Sequence, residues 1–231
     1  VTNIFTSLIK KSGFEKNTSF MAIDLRSSMI IGRHNEQLRL PIASVTKMVT
    51  ASYYLNNNYT LDQFKTELFL DGVIDGEILR GDLYLKGHGD PTLKTDDLSL
   101  FIDSVKNLGI TKVEGKLFYD SSYLPDVNYI NRNQLPQYAY NPGIGAINLN
   151  ENRILFKWKR VEKGKYEISL TAPGLKNSAQ VTNITVDLQN NKGPVYNYKI
   201  DKKNFEESWS VNKKILSRKG SRWLPVRESS Y

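Results

Sequence analysis

Apolar positions along the chain switch between two spacings. Ile4, Phe5, Leu8 and Ile9 recur at helical intervals, predicting a helix over 4–11 that breaks at Ser12-Gly13. Residues 19–25 and 29–32 alternate as two short strands, joined through Arg26-Ser27-Ser28 into a hairpin. From Ser44 the helical period returns. Val45, Met48, Val49, Ser52 and Tyr53 fall on one face, and Asn56-Asn57-Asn58 ends the run. Over 64–85 the text is strand-like and punctuated by Asp71-Gly72, Asp75-Gly76 and Gly81-Asp82, which read as hairpin turns because glycine tolerates positive φ. A helix over 96–108, capped by Gly109, interrupts the strands. Further strands are predicted at 113–119, 146–158, 166–170, 181–188, 195–200 and 209–216.

This is a mixed α/β pattern, and the change of period near Thr60 divides a first α/β region from a β-rich one. At 231 residues, with 39% hydrophobic and 24% charged positions, the chain can bury a sizeable core and is not a disordered one. No stretch of eighteen apolar residues appears, so no helical transmembrane segment is expected. The start at Val1 is read as a removed leader or as the interior of a longer protein.

Charge and cysteine content narrow the chemistry. A net charge of +8 favours polyanionic surroundings. The lysines are dispersed, however, with one short run at Lys157-Trp158-Lys159-Arg160, assigned to a strand whose charged side faces water. No nucleic-acid partner is expected. With no cysteine, disulfides and thiolate catalysis are excluded. His34 and His88 have no metal-ligand partner at helical spacing, so neither a metal nor a cofactor is expected.

Nucleophilic chemistry has one good candidate. Ser and Lys three residues apart on a helix share a face, and a Lys amine held partly neutral can take the proton of a Ser hydroxyl. The spacing occurs three times, at Ser7/Lys10, Ser44/Lys47 and Ser210/Lys213. Only Ser44/Lys47 follows a Pro (Pro41) at a helix-starting position and precedes an apolar helical face. There the backbone N–H groups of a first helical turn would favour a developing oxyanion. The alternative is a helix-capping Ser44 beside a solvated Lys47.

Longer segments carry a family resemblance. The stretch from Pro41 through Ser44-Val45-Thr46-Lys47 to Ala51 is similar to the active-site segment of penicillin-recognising D-Ala-D-Ala peptidases. Gly81-Asp82-Leu83-Tyr84-Leu85-Lys86-Gly87-His88-Gly89-Asp90-Pro91 resembles a stretch of the three-domain D-alanyl-D-alanine carboxypeptidase/endopeptidase family, the class C penicillin-binding proteins. Gly109-Ile110, Val113 to Leu117, Asp120-Ser121-Ser122-Tyr123, Tyr138 to Asn152 with Ala146 and Asn148, and Leu224-Pro225-Val226-Arg227 follow in the same order.

The resemblance implies a partial penicillin-binding transpeptidase-like domain interrupted by a β-rich insertion. Residues 1–60 would carry the Ser-x-x-Lys helix, 61–205 the inserted region, and 206–231 a truncated return. It further implies acyl transfer through Ser44 with Lys47 as base, peptidoglycan stem peptides as substrate, β-lactams as covalent inhibitors, and a bacterial periplasm or cell envelope as the location. Asp120 would hold the ammonium of the stem's diamino acid, with Tyr123 as an apolar wall. The other reading of Asp120 is a turn cap bonded to the Ser122 backbone.

Two departures qualify this. A working site needs a Ser-x-Asn and a Lys-Thr-Gly as well. The one Ser-x-Asn is Ser210-Val211-Asn212, in a strand-like run, and Lys94-Thr95-Asp96 lies early with Asp where Gly is needed. The chain alone is therefore expected to be inactive as a peptidase. The competing expectation is a non-catalytic peptidoglycan-binding envelope module derived from such an enzyme.

Overall fold

The computed structural model describes residues 2–57, 64–201, 203–204 and 206–228. The chain forms two compact units, Val1–Tyr59 and Thr60–Tyr231. The predicted boundary near Thr60, and Asn58 of the helix stop, lie outside the described residues.

The first unit opens with α1 (Thr2–Ser12), followed by the hairpin β1 (Phe20–Ile23) and β2 (Ile30–His34). Phe20 pairs with His34 and Ala22 with Gly32, and the register shifts before Ile23 meets Ile30. The reversal is held by Asp24, whose carboxylate accepts the N–H groups of Arg26 and Ser27, each at 2.9 Å. Those bonds lower the Asp24 pKa. The Phe5 ring of α1 sits 5.2 Å from Phe20. A 3-10 turn, Ala43–Val45, runs into α2 (Thr46–Asn56). Periodicity located this helix, but its apolar stripe is not buried: Met48 is 70% exposed and Val49 66%.

The second unit contains the main core. Strands β3 (Thr66–Asp75) and β4 (Ile78–Gly87) form a long hairpin closed by Gly76 and Glu77, with Gly76 at φ 60°. The other two Asp/Gly pairs are not turns. Asp71 pairs with Asp82 and Gly72 with Gly81 in mid-hairpin. Glycine is required there for close approach: a Cβ on Gly81 would lie 1.9 Å from the Asp71 carbonyl oxygen. Glycine marked the places correctly and the wrong physical role was read from it.

Helix α3 (Thr95–Asn107) connects β4 to β5 (Lys112–Val113), which runs parallel to it. The connecting helix is what a parallel pairing demands. Strand β6 (Leu117–Asp120) also pairs with β4 in parallel, setting Asp120 opposite Lys86. The N-terminus of α3 is tied down twice. Lys94 N–H donates to Asp97 at 2.7 Å, and Asp96 accepts the N–H groups of Leu175, Lys176 and Asn177.

A segment with little regular structure then leads to a left-handed run, Asn150, Glu151 and Asn152, with φ of 51°, 60° and 49°. Buried side-chain bonds hold it. Asn150 donates to Thr95 Oγ1 at 2.8 Å, and Asn152 donates to the Gly143 carbonyl at 3.0 Å. Asparagine suits the region better than most residues. This bend delays the strand predicted at 146–158 until Arg153.

Two sheets enclose the core. Strands β7 (Arg153–Glu162), β8 (Lys165–Pro173), β9 (Ser178–Gln180) and β13 (Lys219–Pro225) form an antiparallel sheet in the order β13-β7-β8-β9. Strands β10 (Ile184–Gln189), β11 (Tyr196–Asp201) and β12 (Glu206–Asn212) form the other, with β12 central. Ile154, Phe156 and Leu224 from the first meet Ile184, Tyr196, Trp209 and Val211 from the second. The predicted strand 209–216 becomes β12 followed by a 3-10 turn, Lys213–Ile215. Strands β9 and β13 had no expectation. Their exposed or mixed side chains give little alternation, and each is made a strand by its neighbour.

Candidate active site

Ser44 lies in the 3-10 turn and Lys47 is the second residue of α2, both exposed. The path between them is continuous. Val45 N–H donates to Ile42 O at 2.9 Å, and Thr46 N–H to the carbonyls of Ala43 and Ser44. Residues three apart lie on one side in either helix type. The helix-capping alternative for Ser44 has no support from its position. Val45 occupies the cap of α2, and no side chain caps the N-terminus of either segment.

The residue before Ser44 is unusual. Ala43 sits at φ 43°, a region costly for a side chain bearing Cβ, about 1–2 kcal/mol. Thr46 Oγ1 donates to its carbonyl at 2.8 Å and stabilises the turn. This left-handed residue stands at the helix entrance, with Ser44 directly after it.

Of the other two Ser-x-x-Lys pairs, Ser7 and Lys10 also share a face, but in the interior of α1 with no left-handed residue before them among the described residues, whereas Ser210 belongs to β12 and Lys213 to the following turn. The Ser-x-Asn of that region is structural. Asn212 is buried, accepts the Lys214 N–H at 3.0 Å and donates to the Asn191 carbonyl at 2.7 Å.

Asp120, in the second unit, ends β6. One carboxylate oxygen accepts the Ser122 hydroxyl at 2.6 Å and the Ser122 N–H at 2.9 Å. The other faces Lys86 Nζ at 3.3 Å. The Ser122 bonds foremost, with help from Lys86, lower its pKa to about 2. The turn-capping geometry is thus present, and it leaves an ionised carboxylate whose second oxygen already meets an ammonium. Tyr123 is half exposed and meets the His88 ring edge-on, with centroids 5.0 Å apart. His88 Nδ1 stands 3.5 Å from Glu67, which also pairs with Lys65 at 2.8 Å.

Sequence reading singled out Asp120 and Tyr123 but missed Lys86, Glu67 and the ring contact of His88. The signal for Lys86 is the parallel register of β4 with β6, which no local pattern encodes.

Comparison with known proteins places the chain. The D-Ala-D-Ala carboxypeptidase 3 (S13) family matches it over residues 4–217. The chain belongs to that family. Among its relatives, D-alanyl-D-alanine carboxypeptidase DacB of Haemophilus influenzae is 30% identical over 120 residues, covering 51% of this chain and 24% of that protein. A D-alanyl-D-alanine carboxypeptidase of an Actinomadura species is 32% identical over 141 residues, covering 59% and 24%.

The crystal structure of penicillin binding protein 4 (dacB) from Haemophilus influenzae matches with a TM-score of 0.57 at 20% identity, covering 90% of this chain and 47% of that one. Its complex with a novel β-lactam gives 0.55 at 18%, covering 95% and 48%. The fold is the mixed α/β fold of a penicillin-binding protein. The family member described here corresponds to about half of that solved chain.

Proposed function

We propose that this chain carries the nucleophile-bearing part of a serine-type D-Ala-D-Ala carboxypeptidase/endopeptidase acting on peptidoglycan stem peptides in the bacterial periplasm or cell envelope. One observation carries the reading: within a match over residues 4–217, the Ser44/Lys47 pair lies on one continuous helical path, open to solvent, beside a strained entrance turn. Lys47 takes the Ser44 proton as the oxygen attacks the carbonyl of the penultimate D-Ala; the C–N bond to the terminal D-Ala then breaks, its amine takes the proton, and an ester is left on Ser44. Water then hydrolyses the ester by the reverse proton path. A β-lactam stops at the ester stage because its leaving group stays attached.

In this reading residues 1–60 belong to the catalytic domain and 61–205 to an insertion. Residues 206–231 are the truncated return to the catalytic domain, and they begin with β12 and β13, which pair with strands of the second unit. Asp120 receives the stem's ammonium, for which its low pKa suits it, and Tyr123 walls that site. Neither a second Ser-x-Asn nor a Lys-Thr-Gly occurs in the 231 residues, so this chain alone is inactive.

The test is a fluorescent penicillin. The 231-residue chain stays unlabelled, whereas a protein in which it is continued by segments bearing both motifs is labelled, and Ser44→Ala abolishes the label. Label that survives Ser44→Ala refutes the assignment. A continued protein that never labels yet binds peptidoglycan supports a non-catalytic wall-binding module instead.

A further inference from the structure

The outer face of the β13-β7-β8-β9 sheet carries cations that the peptidase reading leaves unused. Alternation along β7 turns Ile154 and Phe156 into the core and therefore turns Lys157 and Lys159 outward. Register adds their neighbours. Lys157 stands between Ser221 of β13 and Ser169 of β8, and Lys159 stands between Lys219 and Glu167. All six are exposed. Lys159 and Lys219 are direct cross-strand partners, an arrangement of like charges that destabilises a sheet. Ion pairs among the described residues include none of the three lysines, and Glu167 is in none either. These residues border a hollow of about 680 Å³.

We infer that this face binds a linear polyanion whose charges are phosphodiesters, of the polyol-phosphate kind. Charge complementarity is the first reason: three unpaired ammonium groups are crowded on one face against their own repulsion, and an anion seated among them relieves it. Residue type is the second. Lysine offers a point charge that needs no oriented, bidentate partner, and so suits a flexible chain of repeating anionic groups such as phosphates. Ser169 and Ser221 add hydroxyl donors for non-bridging oxygens.

The third reason separates this occupant from single-stranded nucleic acid, which needs aromatic platforms for its bases. The nearby rings are already covered. Trp158, which also lines the hollow, packs its ring beside Phe156 and over Gly220, and Trp223, on the same face as Ser221, lies under Arg153. This surface is independent of Ser44 and of the peptidase reading.

The experiment measures binding of synthetic poly(glycerol phosphate) to the 231-residue chain across a salt series, beside oligothymidylate of equal charge. Changing Lys157, Lys159 and Lys219 together to Gln should weaken polyol-phosphate binding about tenfold at low salt. It should also flatten the log–log salt slope by about 2, the release expected for three contacts. A control triple change to Gln at Lys10, Lys11 and Lys16, exposed in the first unit, removes the same net charge and should leave affinity within about twofold. Lys219→Gln alone relieves the Lys159 repulsion and should raise the unfolding midpoint, which keeps loss of binding apart from loss of fold. The inference is overturned if both triple variants weaken binding equally, if neither does, or if oligothymidylate binds as tightly as the polyol phosphate.

Discussion

Replacing Glu207 tests how the second unit is locked at its last strand. Its side chain is fully buried, and the two carboxylate oxygens accept the Arg227 N–H at 3.0 and 3.2 Å and the Glu228 N–H at 2.8 Å. The Arg227 side chain is itself buried, donating to the carbonyls of Asn128, Asn141 and Pro136 and stacking over Tyr129 at 4.2 Å. Glu207 therefore anchors the backbone of the residue that fastens the 128–141 segment. Glu207→Ala strands two buried N–H groups at about 1–3 kcal/mol each, a loss of about 2–6 kcal/mol. Glu207→Gln keeps one acceptor oxygen and should cost about 1 kcal/mol or less.

Burial raises the Glu207 pKa, against the pull of the two N–H groups and Arg227. With the folded pKa above the ordinary value of 4.5, the contribution of this group to stability is full below about 4.5 and declines as pH rises through the folded pKa. The advantage of the native carboxyl over Gln should shrink in the same direction. The assay is urea unfolding of native, Ala and Gln chains from pH 4 to 8. In heat, the Ala variant should fall by roughly 2–4 °C for each kcal/mol lost. Equal losses for Ala and Gln, or an Ala loss below about 0.5 kcal/mol, would refute the anchoring argument.

Other outcomes follow from the same structure. The Asp120 carboxyl should titrate near pH 2 by NMR, and Ser122→Ala should move that midpoint upward toward 3.8; its stabilising bonds are present above 3.8 and lost as pH falls through about 2. An unchanged midpoint in the variant would remove Ser122 as the cause. Gly81→Ala, which sets a Cβ against the Asp71 carbonyl, should destabilise the β3–β4 hairpin by more than about 2 kcal/mol in denaturant unfolding, and a loss under about 0.5 kcal/mol would contradict the packing. Met48→Ser and Val49→Ser, at exposed positions of α2, should shift the chain's stability by no more than about 0.5 kcal/mol; losses of several kcal/mol would show the stripe to be packed.

Local periodicity and backbone chemistry made much of this protein legible before any coordinates. The spacing of Ile4, Phe5, Leu8 and Ile9 locates α1, and that of Val45, Met48 and Val49 locates α2, because a helix is closed by bonds four residues apart. Gly76 and Gly109 mark a turn and a helix end because positive φ is a property of a single residue. Ser44 and Lys47 could be paired for the same reason, since one helical turn joins them.

What escaped depends on residues far apart in the chain. Gly72 and Gly81 look like turn glycines until the hairpin register sets them face to face. Lys86 becomes the counter-ion of Asp120 through a parallel pairing thirty-four residues away, and Lys219 reaches Lys159 across sixty. Glu207 reads as an ordinary surface acid in a strand of mixed residues, yet the fold buries it to receive two N–H groups from residues 227 and 228. A sequence states which bonds a residue can make with its neighbours along the chain. Strand register and burial are sums over many distant contacts, and only the folded chain carries them out.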